Sequence, residues 1–133
     1  TGTRLHLVGP LGFQLGDREL KRSGMDYWQQ VEWKFWDGWA VFAATLSENT
    51  RCWYVEQGGV RRYDEVAFGP EDYLVFGRET AGLPKKLLEK NTGSWLRIPM
   101  FNRQARSLNL ANCVSLVVYE ALRQQGFSGE LVD

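Results

Sequence analysis

The sequence predicts an α/β fold, a mainly parallel sheet with helices on both faces. Short apolar segments typical of strands alternate with segments of helical periodicity, and this alternation favours parallel strands joined by helices. Of the 133 residues, 44% are hydrophobic and 14% aromatic, which is enough apolar side chain for one compact core. Because a domain typically takes about 100 to 200 residues, we expect a single domain over residues 1–133.

Five short apolar runs predict the strands. The first, RLHLVGP at residues 4–10, ends on a Gly-Pro breaker, and EDYLVFG at residues 71–77 ends on glycine. The other three are WQQVEWKF at residues 28–35, RCWYVEQGG at residues 51–59 and SWLRIPM at residues 94–100. His6 is the one histidine of the sequence and lies inside the first run, so we expect it to have a structural role.

Three of the predicted helices lie between these runs. Residues 16–24 offer an Asp as an N-cap and end on glycine, and residues 82–93 place Pro84 in a first helical turn and Gly93 where a helix would stop. Residues 36–49 carry an amphipathic stripe formed by Trp39, Phe42, Ala43 and Leu46.

The last predicted helix, LANCVSLVVYEALRQQG at residues 110–126, has two apolar faces. One stripe consists of Leu110, Cys113, Val114, Val117, Val118 and Ala121. Leu116 and Tyr119 lie on another side of the same helix. The first stripe can pack on the sheet, and the second predicts a contact with another subunit, so we expect a homodimer.

Composition restricts the partners of the protein. The 16 basic and 16 acidic side chains cancel, so a nucleic acid would be held by a local cluster of Arg and Lys. Cys52 and Cys113 are far apart and lack metal or redox spacing, which indicates buried free thiols in a reducing cytosol and no metal site. The sequence has no membrane-length apolar run and no signal peptide, so we expect a cytoplasmic protein.

Polar and glycine-bearing loops follow two of the predicted strands. VFGRETAGLP places Gly77 after a strand, where a ligand can approach the backbone closely. RIPMFNRQARSLNLANCVSL carries Arg103 and Arg106, followed by Ser107 and Asn109, one of which we expect to cap the last helix. Neither a dinucleotide fingerprint nor a phosphate loop is present, and a hydrolytic triad is implausible.

These stretches closely resemble a known family. YLVFGRETAGLP, LRIPM and RSLNLANCVSLVVYEALRQ are similar to the second and third motifs of the SPOUT-class RNA 2′-O-ribose methyltransferases. Within that class the chain looks most like the short, single-domain tRNA wobble-position methyltransferases of the TrmL type. The resemblance covers essentially the whole chain, including GFQLGDRELKRSGMDYW and YEALRQQGFSGELVD.

The resemblance implies a parallel sheet whose C-terminal segment forms a deep trefoil knot, and a bent S-adenosylmethionine held between three loops of that knot. The residues that it assigns to the cofactor are Val55, Gly77, Glu79, Gly82, Ile98, Ser107 and Leu108. Ser107 and Asn109 would position the methyl acceptor, and the candidates for RNA binding are Lys85, Arg103 and Arg106.

The implied reaction is methylation of the ribose 2′-hydroxyl of the tRNA wobble nucleotide, a cytidine or modified uridine, with the anticodon stem-loop bound by a homodimer. Family members begin with a strand and an N-x-G-N-x-x-R stretch, and this sequence starts after both, so Arg4 is not the arginine of that motif. We expect a truncated or partial form that lacks the first strand and motif one. The alternative is a non-catalytic, knotted RNA-binding module that keeps the cofactor pocket.

Overall fold

The computed structural model describes residues 1–11 and 26–133, and its chain divides into two compact units, residues 1–48 and 49–133. The predicted helix at residues 16–24 lies outside the described residues. The expectation of a single domain without its first strand stays a prediction, and so does the knot.

The first unit contains a parallel pair of strands, β1 (Leu5–Val8) and β2 (Trp33–Trp36). The prediction of β1 is confirmed. The prediction of a strand starting at residue 28 is wrong, because Asp26–Gln30 forms a 3-10 helix and the strand begins only at Trp33.

The helix of the first unit is much shorter than predicted. Helix α1 spans Trp39–Ala43, whereas the stripe indicated residues 36–49. Trp36 belongs to β2 instead. At the other end, the amides of Thr45 and Leu46 bond to carbonyls three residues back, so the last turn tightens and the α-helix stops.

An aromatic cluster fills the first unit. Phe42 is 3% exposed, and its ring lies 5.2 Å from that of His6 and 5.5 Å from that of Trp36. Trp36 Nε1 donates a hydrogen bond of 3.0 Å to His6 Nδ1. Burial lowers the pKa of His6, and the positive charges of Arg4 and Lys34 lower it further. His6 is thus held as a neutral acceptor within this cluster.

The second unit contains a parallel four-stranded sheet. Its strands are β3 (Cys52–Val55), β4 (Arg61–Arg62), β5 (Tyr73–Phe76) and β6 (Trp95–Arg97), in the order β4-β6-β3-β5. Val55 lies opposite both Phe76 and Leu96, so β3, β5 and β6 end at the same edge. The prediction of a mainly parallel sheet is confirmed, although β3, β5 and β6 are each shorter than the apolar run that predicted them and β4 was not predicted.

Two helices belong to this sheet, α2 (Lys85–Lys90) and α3 (Leu110–Gln124). Pro84 is the N-cap of α2, and its carbonyl accepts from the amides of Leu87 and Leu88. Gly93 lies in a following 3-10 helix, so it does not end α2 as predicted. None of the helices in residues 1–11 and 26–133 is long and apolar enough to cross a membrane.

The core of the second unit lies between the sheet and α3. Its buried members are Trp53, Val55, Val66, Phe68, Leu96 and Val117. Leu96 and Val117 are completely buried. Tyr54 points to the other face of β3 by strand alternation and is also only 6% exposed, so β3 is covered on both faces. The predicted inner stripe of α3 is therefore largely correct, with Val117 at its centre.

Asp72 fastens the entrances of β3 and β5. Its carboxylate accepts hydrogen bonds from Arg51 Nε at 2.8 Å, Trp53 Nε1 at 2.8 Å and the Gly69 amide at 2.8 Å. Burial alone would raise the pKa of Asp72, but these hydrogen bonds and the Arg51 charge outweigh it, so the pKa lies below the ordinary value. The charged form of Asp72 thus stabilises the fold.

Replacing Asp72 with asparagine should lower the free energy of unfolding at pH 7 by about 3 kcal/mol, because the side chain of residue 72, only 9% exposed, loses its charge and one of the two oxygens that accept these hydrogen bonds. A carboxyl whose folded pKa is depressed stabilises the protein above its unfolded pKa, and that contribution is lost as the pH falls through the folded value. The difference between the two proteins in urea unfolding should therefore shrink below about pH 4. Glu71→Gln, at an exposed neighbour, serves as the control; an equal loss there would contradict the role of Asp72.

Candidate cofactor and nucleic-acid site

The shared edge of β3, β5 and β6 opens into a cavity of about 790 Å³. Three loops that follow these strands build it, together with the start of α3. It is lined by Val55, Glu56, Gln57, Phe76, Gly77, Arg78, Glu79, Thr80, Ala81, Gly82, Ile98, Met100, Arg106, Ser107, Leu108, Asn109, Leu110 and Cys113. A volume of this size falls within the range of about 300 to 1,000 Å³ that is typical of small-molecule sites.

The structure brings the sequence-predicted residues together here. The lining contains all seven residues that the resemblance assigns to the cofactor, and also the predicted acceptor-positioning residue Asn109. Of the three predicted RNA-binding residues, Arg106 lines the cavity. Arg103 is exposed outside the lining, and Lys85 is exposed on α2 with its Nζ 3.8 Å from Glu89 Oε1.

Gly77 is the position where backbone packs against backbone. A Cβ atom at Gly77 would lie 2.7 Å from Gly82 Cα and closer still to the Gly82 carbonyl carbon and the Leu83 nitrogen. No side chain fits there without moving the loop. The glycine therefore lets the two ends of the segment 77–83 lie against each other, and their peptide groups form one wall of the cavity.

Gly82 closes the same segment with a left-handed backbone. Its φ is +65°, and its amide donates to the Arg78 carbonyl at 3.0 Å. A Cβ atom at Gly82 would overlap the Glu56 carboxylate, whose Cδ lies 3.0 Å from that position. Both the positive φ and the neighbouring carboxylate require glycine here.

The start of α3 forms another wall of the cavity. Asn109 is the N-cap, and its Oδ1 accepts from the Ala111 amide at 2.9 Å, which confirms that one of the two predicted residues caps this helix. Because α3 begins at Leu110, Ser107 and Asn109 stand at the positive end of a helix of 15 residues. This end of the cavity favours polar or negatively charged groups of a ligand.

Cys113 lies one helical turn inside α3 and also lines the cavity. Burial raises the pKa of its thiol, and the negative charge of Glu56 adds to the effect. The thiol is therefore neutral at physiological pH. Both cysteines are free, as predicted, but they are only partly buried, so the prediction that they are buried is wrong.

Several lining residues were missed in the sequence. Glu56, Gln57 and Arg78 directly follow β3 and β5, and Met100 follows β6 by three residues. Their place after the strands was the available signal, since ligands bind at the carboxyl ends of parallel strands. In the part of the chain that the structure covers, no group of three or more His, Cys, Asp or Glu residues could hold a metal ion.

Comparison with known proteins identifies the family. The sequence model described as the SpoU rRNA Methylase family matches residues 1–119. The chain belongs to this family. The resemblance drawn from the sequence is confirmed, and methyltransferases of this SpoU family depend on S-adenosylmethionine.

Among curated relatives of this SpoU protein, the tRNA (cytidine(34)-2′-O)-methyltransferase of Saccharophagus degradans is 47% identical over 132 residues, which cover 97% of this chain and 83% of that protein. A solved structure titled "Structural insights into the 2-OH methylation of C/U34 on tRNA" is 40% identical, with a TM-score of 0.86 over 95% of this chain and 81% of the other.

The same fold extends to a more distant protein. An AdoMet-bound rRNA methyltransferase from Sinorhizobium meliloti superposes with a TM-score of 0.70 over 89% of this chain and 44% of the other, at 24% identity. At that identity the similarity concerns the fold alone. The predicted SPOUT-type α/β architecture is confirmed at this level.

Proposed function

We propose that the protein transfers the methyl group of S-adenosylmethionine to the ribose 2′-hydroxyl of nucleotide 34 of a tRNA, a cytidine or a uridine. The observation that carries the proposal is the cavity at the strand ends, which is lined by every residue that the resemblance assigns to the cofactor. The high identity to a relative named for this reaction, over nearly the whole chain, supports the choice of substrate.

The residues of the cavity fit S-adenosylmethionine. Val55, Ile98 and Leu108 offer apolar surface for the adenosine, while the peptide groups between Gly77 and Gly82 offer donors and acceptors for its polar edges. Glu79 lies on the same loop and adds a negative charge that suits a cationic ligand. When bound, the cofactor supplies an electrophilic methyl group.

Ser107 and Asn109 would orient the acceptor ribose. Both line the cavity at the start of α3, where the helix end favours the partial negative charge of an attacking oxygen. The cap occupies Oδ1 of Asn109, so we assign its Nδ2 amide and the Ser107 hydroxyl to the acceptor nucleotide. Their contribution is to hold the hydroxyl in line with the methyl group.

The RNA would be held by a few basic side chains near the cavity. Two basic side chains, Arg78 and Arg106, line the cavity, and Arg103 lies on the same loop as Arg106. Lys85 is 90% exposed at the start of α2, shortly after the loop that carries Arg78. A chain with no net charge needs such a local cluster to bind phosphates.

Replacing Arg103 and Arg106 together with alanine should weaken tRNA binding roughly tenfold at 0.1 M salt and reduce the slope of log affinity against log salt by about 1 for each lost phosphate contact. Fluorescence anisotropy with a labelled anticodon stem-loop over a range of salt measures both values. The control is the double variant Arg62→Ala and Lys90→Ala, which removes the same amount of positive charge at positions outside the cavity lining. It should change neither the tRNA affinity nor the salt slope. Unchanged tRNA affinity in the Arg103 and Arg106 variant would place the RNA surface elsewhere.

The exposed side of α3 suits a second copy of the chain. Leu116 is 41% and Tyr119 55% exposed, and the Tyr119 ring stands 6.5 Å from Phe127, which is 41% exposed as well. Covering this patch in a homodimer would remove apolar surface from water. We therefore propose that the protein is a homodimer. We also propose that it acts in the cytoplasm, because its proposed substrate is a tRNA.

The reaction is tested by incubating the encoded protein with methyl-labelled S-adenosylmethionine and tRNA and measuring label in the RNA. Transfer to the ribose of nucleotide 34 is the expected result. Cofactor binding without transfer would instead support a non-catalytic RNA-binding module.

A further inference from the structure

Glu56 joins two walls of the cavity. It is the first residue after β3, it is partly buried, and it lines the cavity. Its Oε2 accepts a hydrogen bond from the Leu83 amide at 3.0 Å, and its Oε1 accepts from the Gln57 amide at 2.9 Å. One carboxylate therefore links the end of β3 to the end of the segment 77–83, 27 residues away.

The two ends of the segment 77–83 also contact each other directly. The Gly82 amide bonds to the Arg78 carbonyl across the turn. Gly77 packs against Gly82 and Leu83 without a side chain between them. Gly82 leaves room for the Glu56 carboxylate, since a Cβ atom there would overlap it. The shape of this wall thus depends on Glu56 at the point where the two glycines meet.

We propose that Glu56 is a positioning residue that fastens the segment 77–83 in the conformation that binds S-adenosylmethionine. This inference rests on the proposed function for the identity of the ligand. Glu56 acts through the loop and not on the reacting atoms. It satisfies the Leu83 amide, and this holds the peptide groups between Gly77 and Gly82 in place for the cofactor before it arrives.

The carboxylate is better suited to this role than an amide. Each of its two oxygens accepts from a backbone N–H, and both oxygens are acceptors. A glutamine has one oxygen and one NH₂ group, so one of the two N–H groups would face another donor. Glu56→Gln preserves size and removes one acceptor, and Glu56→Ala removes both.

The first experiment measures dissociation constants of S-adenosylmethionine and S-adenosylhomocysteine by calorimetry for the wild type, Glu56→Gln and Glu56→Ala. In both Glu56 variants the affinity for each of the two ligands should fall by the same factor, roughly tenfold for the loss of one charge-assisted hydrogen bond. Glu71→Gln, at an exposed position before β5, should bind as the wild type does. Unchanged affinity in both Glu56 variants would overturn the proposal. Weaker binding of S-adenosylmethionine alone would also overturn it, because the carboxylate would then act by its charge on the sulfonium.

The second experiment needs no cofactor. In the ligand-free protein, hydrogen exchange of the Leu83 amide should be slow in the wild type and at least roughly tenfold faster in Glu56→Gln and Glu56→Ala. The Leu88 amide, inside α2, should exchange at the same rate in all three proteins. An unchanged Leu83 rate would overturn the proposal. If the wild type bound neither ligand, the proposed function would fail while the exchange rates still tested Glu56.

Discussion

Replacing Gly77 with alanine is expected to weaken S-adenosylmethionine binding at least roughly a hundredfold, equivalent to about 2.7 kcal/mol. A Cβ atom at this position lies 2.7 Å from Gly82 Cα and overlaps the Gly82–Leu83 peptide, so backbone must move to admit it. That backbone is the wall of the cavity. The loop can yield only by giving up the shape that the cofactor needs, and isothermal calorimetry measures the loss.

Gly93→Ala is the matched control for Gly77→Ala. A Cβ atom at Gly93 meets nothing within 4 Å, and the residue lies on a 3-10 helix away from the cavity lining. It should bind the cofactor with wild-type affinity. Equal affinity of Gly77→Ala and Gly93→Ala would show that the segment 77–83 does not contact the cofactor.

Glutamate at both Leu116 and Tyr119 is expected to convert a dimer to a monomer and to abolish methylation of tRNA. These two side chains are half-exposed on the outer side of α3, and two negative charges from each copy cannot be buried against each other. A dimer also doubles the basic surface offered to RNA by a chain of zero net charge. Light scattering coupled to gel filtration measures the mass, and label transfer measures the activity.

The control for this variant replaces Val41 and Val60 with glutamate. They are 52% and 73% exposed, so the same chemical change is made at exposed apolar positions that do not belong to α3. This protein should keep the mass and activity of the wild type. A wild-type protein that is monomeric at micromolar concentration would contradict the homodimer.

The strand that leads into the cavity could be predicted because its signals agree. An apolar run ends on Gly77, and a proline follows before the next helical segment. The boundaries of the strand and helix in the first unit could not be predicted. Trp36 fits the helical stripe and the strand equally well, and pairing with β1 decides that it lies in β2. Local pattern does not include this tertiary contact.

Short elements and long-range contacts were also beyond the sequence. Strand β4 consists of Arg61 and Arg62, which carry no strand pattern and are extended because they pair with β6. Asp72 and Glu56 each look like solvated acids. Only the fold brings the Trp53 indole to Asp72 and the Leu83 amide to Glu56.

The candidate site, too, could be predicted only in part. The two glycine-bearing and polar loops, and an N-cap at Ser107 or Asn109, followed from residue chemistry and position. That they meet around one cavity needed the parallel register of β3, β5 and β6. The identity of the ligand and the acceptor followed from the resemblance, since glycine loops of this spacing occur without a cofactor.

The central claim is methyl transfer to the 2′-oxygen of the wobble nucleotide, and mass spectrometry of the reacted tRNA tests it most directly. The encoded protein is incubated with an unmodified tRNA transcript and S-adenosylmethionine, and the RNA is digested to nucleosides and to mapped fragments. We predict 2′-O-methylcytidine or 2′-O-methyluridine at position 34 and no methyl group elsewhere. A methyl group on a base, on another nucleotide, or on no RNA at all would contradict the account.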